Sequence, residues 1–365
     1  SVFMPLLLLL FGTLLATTPL VAQAKGAGTS HQLAPTIFQA SYSGFILLLP
    51  LALVIFYSGE IFAFMQVEAS IATLAQGYLH ALMWGLPAVA AFQVLRCLCE
   101  GFNHARPVLL ISLAGLILNI PANYVLIYGK FGLPELGAIG CGYATALSFW
   151  FMAFLLALYV HKAKIFAQLK LFHAFVRPNF SEIKAIYWLG LPIGLSIFVE
   201  ASLFTLITLF IGELGEITVA GHQVALNFTG LLFMVPLSLG TALTVKVGQA
   251  VGAKQPLIAR QVAFYGLGLA LLIALVSSAF MWLVAPWVVQ LYTPNLEVQL
   301  LAISLIHLAV WYQISDAIQI NAAGALRGYK DTRVIMLITL VSYWCIGMAG
   351  GNWLAFYIDI IPPLG

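Results

Sequence analysis

Charge is what this chain has least of. Asp, Glu, Lys and Arg make up 7% of its 365 residues, against about 25% in an ordinary soluble domain. No soluble fold of this size could cover its surface with so few charges. Cysteine is sparse too. Cys97, Cys99, Cys141 and Cys345 are scattered, and the one C-x-C pair lacks the second pair or histidines of a zinc module. All four read as small apolar fillers. The sequence holds no G-x-x-x-x-G-K-[ST], which excludes ATP hydrolysis by a P-loop. Nor does it hold G-x-S-x-G, H-E-x-x-H or paired C-x-x-C, so those hydrolytic, metallopeptidase and redox chemistries have no footing. No cofactor is expected, and the energy source must be an ion gradient or another subunit. A net charge of +3 implies no nucleic-acid partner.

What is abundant is apolar length. Hydrophobic residues reach 62%, and uncharged runs are long enough for helices to cross a hydrocarbon layer of about 30 Å. Alternating apolar and polar segments are absent, which argues against a transmembrane barrel. The expectation is an all-α integral membrane protein of ten helices: 2–24, 36–57, 70–99, 107–128, 137–160, 183–211, 217–249, 258–289, 298–326 and 332–357. With alternating directions, the loops near 25–35, 100–106, 161–182, 250–257 and 327–331 share one side. Of the 15 Lys and Arg, all but Lys130 lie in or beside them. The positive-inside rule makes that side cytoplasmic, so a multi-pass inner-membrane protein among membrane lipids is expected.

The chain also contains itself twice. Val21-Ala-Gln-Ala-Lys-Gly-Ala27 returns as Val247-Gly-Gln-Ala-Val-Gly-Ala253, offset by 226. Tyr78-Leu-His-Ala-Leu-Met-Trp84 returns as Leu305-Ile-His-Leu-Ala-Val-Trp311, and Glu100-Gly-Phe-Asn-His-Ala-Arg106 as Arg327-Gly-Tyr-Lys-Asp-Thr-Arg333, both offset by 227. A duplicated half in so apolar a chain is how many transporters are built. Because the opening segment, up to Lys25, ends in a match to an internal one, it reads as a spanning helix rather than a signal peptide. Extending the repeat places a first and a last helix outside this chain. The natural unit is then two six-helix lobes related by a pseudo-two-fold axis along the membrane normal. The lobes are drawn at 1–160 and 183–365, joined by a polar cytoplasmic linker at 161–182.

What both halves share reads as scaffold. His80 and His307, like Trp84 and Trp311, read as helix packing in preference to a proton relay. Two acids lie deep in their helices instead: Glu200 and Asp316. An ionised carboxylate there costs about 2.5–3.5 kcal/mol or more, and no Lys or Arg close in sequence offsets it. Two readings stand: a protonated acid gluing helices together, or a group that exchanges a proton, Na⁺ or a cationic ligand. The second is favoured. Asn119 with Asn123, Gln223 with Asn227, and Tyr312 before Asp316 are each spaced by one turn. They supply either cation-binding oxygen or interhelical hydrogen bonds. Intramembrane Pro87, Pro121, Pro192 and Pro236 allow bends.

Thr18-Pro-Leu-Val-Ala-Gln-Ala-Lys-Gly-Ala-Gly28, Leu118-Asn-Ile-Pro-Ala-Asn-Tyr124, Tyr128-Gly-Lys-Phe-Gly132, Gly140-Cys-Gly-Tyr-Ala-Thr-Ala146, Gly221-His-Gln-Val-Ala-Leu-Asn-Phe228 and Ala323-Gly-Ala-Leu-Arg-Gly-Tyr-Lys-Asp331 together resemble the NorM branch of the multidrug and toxic compound extrusion (MATE) family. The resemblance implies a twelve-helix fold of two lobes and export of bulky organic cations and drugs by a monomer, in exchange for Na⁺ or H⁺. It implies that Glu200, Asp316 and Tyr312 bind cations in the C-terminal lobe, with Na⁺ held by the two acids, and that Asn119 and Asn123 act in the N-terminal lobe. The family's usual aspartate on the first helix is missing here. The competing expectations are a lipid-linked oligosaccharide flippase of related fold, an intramembrane enzyme, and an inert truncated transporter. The flippase would need several bases within its cavity, whereas nearly all bases here map to cytoplasmic ends. Pro192 lies about two turns before Glu200, and a bend there serves exchange. Replacing it with Ala is expected to slow transport, and an unchanged transport rate would refute that role.

Overall fold

The computed structural model describes residues 3–64, 66, 68–171, 176–212, 215–348 and 350. Among these there is no strand. The helices in chain order are α1 (Phe3–Leu14), α2 (Thr17–Gly26), α3 (Leu33–Phe56), α4 (Ser58–Phe64), α5 (Ala69–Met83), α6 (Leu86–Gly101), α7 (Arg106–Tyr128), α8 (Ala138–Lys162), α9 (Phe180–Gly212), α10 (Glu216–Gly252), α11 (Pro256–Tyr292), α12 (Leu296–Gly328) and α13 (Thr332–Leu340). A π-helical stretch, Val341–Met348, continues α13.

Eight of the resulting segments are long and apolar enough to span a membrane. A ninth span is broken: α5 and α6 meet at a 49° bend. Gly85 sits at the break, where a Cβ would lie 2.8 Å from the Ala146 backbone of α8, and Pro87 starts α6 without needing a donor. The last expected helix, 332–357, is present as Thr332–Met348; its end, with Ile361-Pro-Pro-Leu-Gly365, lies outside the described residues.

The chain divides into two compact units, Ser1–Leu195 and Ser196–Gly365. This boundary falls inside α9. The cause is close packing at the start of α9. A Cβ on Gly190 would collide with the Thr13 carbonyl of α1, and one on Gly194 would lie 2.7 Å from the Leu9 carbonyl. The described part of the 161–182 segment is anchored to the first unit. Phe166 and Leu169 are buried, with Phe166 edge-on to Phe102 at 5.1 Å. The buried Gln39 of α3 donates to the Arg177 carbonyl and accepts from the Asn179 N–H, both at 2.9 Å. Tyr42 donates to the Val176 carbonyl at 2.8 Å.

Each unit has its own apolar core. In the first, Leu14, Val21, Leu98, Leu156 and Phe166 pack together. In the second, Val224, Phe228, Met281 and Ile306 do so. Helices in lipid gain nothing from hydrophobicity alone, so they associate through small residues that allow close backbone approach. Helices α10 and α12 show this. A Cβ on Gly324 would collide with the Gly240 carbonyl, and Thr244 donates across the crossing to the Gly324 carbonyl at 2.7 Å. Asn321, fully buried, donates to the Pro236 carbonyl at 3.2 Å.

Gly324→Val is expected to lower the thermal stability of the detergent-solubilised protein by about 1–3 kcal/mol or more. Gly268→Ala, where an added Cβ meets nothing within 4 Å, should leave it unchanged. Equal melting of the two variants would refute this account of the crossing.

Candidate functional site

Glu200 and Asp316 each lie more than three turns before the end of their helix, at Gly212 for α9 and at Gly328 for α12. At about 1.5 Å per residue each is about 18 Å from its nearer helix terminus. Neither is fully buried. The second unit brings them into one electrostatic neighbourhood, so that the charge of Asp316 acts on Glu200. Tyr312, one turn before Asp316, stands beside it and reaches Thr229 of α10.

The other candidates sit elsewhere. Asn227 donates to the Gln223 backbone carbonyl at 2.9 Å. Both side chains are exposed, and that bond stays within α10. Asn119 and Asn123 belong to the first unit. Asn123 donates to the Asn119 side-chain oxygen at 2.8 Å, and Asn119 donates to the Ser148 hydroxyl of α8 at 3.1 Å. Here the amide pair ties two helices together. His307 stacks on Trp282 at 4.1 Å and lies 3.3 Å from its carbonyl, as a packing residue would. Its repeat partner His80 keeps a buried Nε2 without a hydrogen-bond partner. Trp84 and Trp311 are both exposed.

Sequence reasoning missed three contributors. Tyr343, in the π-helical stretch, lies within electrostatic range of both acids and donates to the Gln319 side-chain oxygen at 3.4 Å. Trp344 donates to the carbonyl of Val199, the residue before Glu200, at 3.4 Å. Nothing in one sequence announces that the continuation of α13 meets α9 and α12 there. The third is Arg327. It follows Asp316 by about three full turns and so shares its helix face. Its Nε is buried without a hydrogen-bond partner, and Glu200 and Arg327 act on each other through their charges. The expectation that no base close in sequence offsets Glu200 stands, and the cation whose charge acts on it comes from far along the chain.

A sequence signal for Arg327 did exist. The repeat offset of 227 places it on Glu100, so the two halves carry opposite charges at one position. In the first half Arg96 binds Glu100 at 2.7 Å. In the second half the position of Arg96 is Ala323, so the intrahelical pair of the first half is not repeated there.

The MatE family model matches residues 1–125 and 192–353, more than three quarters of the chain. The chain belongs to the MatE family. Among MatE relatives it is 41% identical to the multidrug resistance protein MdtK of Pectobacterium atrosepticum, aligned over 100% of this chain and 80% of that one. It is 42% identical to the probable multidrug resistance protein NorM of Shewanella oneidensis, with the same coverage. The fold matches the crystal structure of the eukaryotic MATE transporter AtDTX14 with a TM-score of 0.86 at 24% identity, covering 96% of this chain and 77% of that one. An outward-facing MATE transporter matches with a TM-score of 0.85 at 22% identity, covering 98% and 79%.

Arg327→Gln should strengthen cation binding at the acids by roughly fivefold or more, because it removes an internal cation that competes for their charge. Arg327→Lys should bind as the unmodified protein does. The check is the midpoint of Na⁺-dependent thermal stabilisation, and weaker binding by the Gln variant would overturn the competition.

Proposed function

We propose that this protein is a secondary active multidrug exporter of the bacterial inner membrane, working as a monomer with its basic loops cytoplasmic. It antiports organic cations against Na⁺ or H⁺ as its two lobes alternate access. The observation that supports this reading is that the charge of Asp316 acts on Glu200 within the second unit, with Arg327, whose Nε is buried, the base whose charge also reaches Glu200. Two carboxylates and one guanidinium leave a deficit of one positive charge. In a medium where an uncompensated charge is costly, that deficit must be filled by a proton, a metal cation or an organic cation. Those partners compete for one position, so binding of one weakens binding of the others, and the coupling is reciprocal.

The donor set suits both kinds of occupant. Carboxylate, phenol and amide oxygens from Glu200, Asp316, Tyr312, Tyr343 and Gln319 are hard ligands of the kind Na⁺ accepts. The aromatic rings of Tyr312, Tyr343 and Trp344 offer π faces to an organic cation. The lobes are those drawn at 1–160 and 183–365. In this reading Asn119 and Asn123 offer oxygens within the first lobe, and Gln223 and Asn227 within the second. The names of the MdtK and NorM relatives support drugs as cargo.

The test is ethidium efflux from cells under imposed Na⁺ or pH gradients. Asp316→Asn is expected to slow export by about tenfold or more at equal protein abundance. Normal export by that variant would sink the mechanism. The gradient that drives efflux identifies the coupling ion.

A further inference from the structure

The first unit holds a cavity of about 350 Å³ between α3, α6 and α8. Its walls include Ile37, Ser41, Leu95, Trp150, Ala157 and Leu171. The two polar groups among these are already engaged. The Ser41 hydroxyl donates to the Ile37 carbonyl at 3.0 Å, and the Trp150 indole donates to the Trp84 carbonyl at 2.9 Å. An apolar cavity whose polar atoms are spent holds water poorly and takes hydrocarbon instead.

The position of the cavity names the hydrocarbon. Ile37 lies one turn into α3 from Leu33, and Ala157 lies just over one turn before the end of α8. Both ends belong to the side that carries the basic loops. Trp150 lies about 18 Å along α8 from Lys162, which reaches roughly the middle of a hydrocarbon layer of about 30 Å. The cavity therefore follows one leaflet from its surface to the bilayer centre, the length of a lipid acyl chain.

The stretch 136–181, which runs past its mouth, carries one sign of charge. Between Glu135 and Glu182 there is no Asp or Glu, while Lys162, Lys164, Lys170 and Arg177 all lie there and are exposed. Lys170 adjoins Leu171 in the cavity wall. Arg177 is held against α3 by Gln39, two positions before Ser41. Four bases at the membrane face of an apolar interhelical groove form the combination that holds an anionic lipid headgroup.

We propose that this groove is a binding site for an anionic phospholipid, one acyl chain seated against Trp150 and Ala157 and the phosphate held by Lys162, Lys164, Lys170 and Arg177. The site lies wholly within the first unit and is separate from the acids. It couples lipid composition to the packing of Val176 and Arg177 on α3.

Native mass spectrometry of the purified protein, titrated with phosphatidylglycerol or phosphatidylcholine, tests this directly. The unmodified protein should retain phosphatidylglycerol with about tenfold preference. The double variant Lys162→Gln, Lys170→Gln should lose the preference while still taking up lipid. Ala157→Phe, which fills the groove, should reduce retention of both lipids. Equal retention of the two lipids by the unmodified protein would overturn the proposal. So would undiminished retention by an Ala157→Phe protein that melts normally in lipid-free detergent.

Discussion

In the second unit two carboxylates sit about 18 Å from the nearer ends of their helices, partly buried in apolar surroundings where an uncompensated charge is costly. Glu200 and Asp316 enter on different helices, α9 and α12, and each carries its own insertion cost. Bringing them together would add mutual repulsion if nothing intervened. What tempers it is partial: the charge of Arg327 acts on Glu200, and Tyr343, bonded to Gln319, lies within electrostatic range of both acids. Full compensation would make an inert structural ion pair. Partial compensation is the condition on which the proposed exchange of one further cation rests.

The rest of the second unit keeps this neighbourhood fixed. The glycines at 240, 324 and 328 let α10 and α12 cross with their backbones in contact, which places Thr229 beside Tyr312. The Thr244 and Asn321 hydrogen bonds to backbone carbonyls tie the same crossing. Such bonds matter in lipid because a freed carbonyl has no water to turn to. In the first unit, by contrast, the groups singled out by the sequence bond to one another. Arg96 binds Glu100, and Asn123, Asn119 and Ser148 bond in series. The repeat supplied one scaffold to both halves, and the charge arrangement at matching positions then diverged.

Much of the fold was legible without coordinates. Uncharged runs, basic loops on one side and the internal repeat were enough for an all-helical bundle with broadly these spans, and the MatE match bears that out. The bend between α5 and α6 was not legible, because it depends on how closely Gly85 approaches Ala146. The 161–182 segment read as polar from its lysines, yet Phe166 and Leu169 bury themselves and Gln39 grips its backbone.

The sequence by itself determined which groups are scarce and therefore costly: two acids within apolar helices, set in a chain with almost no charge to spare. It determined where the helices run as well, since uncharged length marks a span. Only the tertiary structure decided which scarce groups meet. Glu200 and Asp316 stand on helices separated in the chain by all of α10 and α11. Tyr343 arrives on the continuation of a thirteenth helix, and Arg327 reaches Glu200 from three turns beyond Asp316. The physical reason is that periodicity specifies which face of a helix is polar but not its neighbour. That is settled by where small residues permit two backbones to touch.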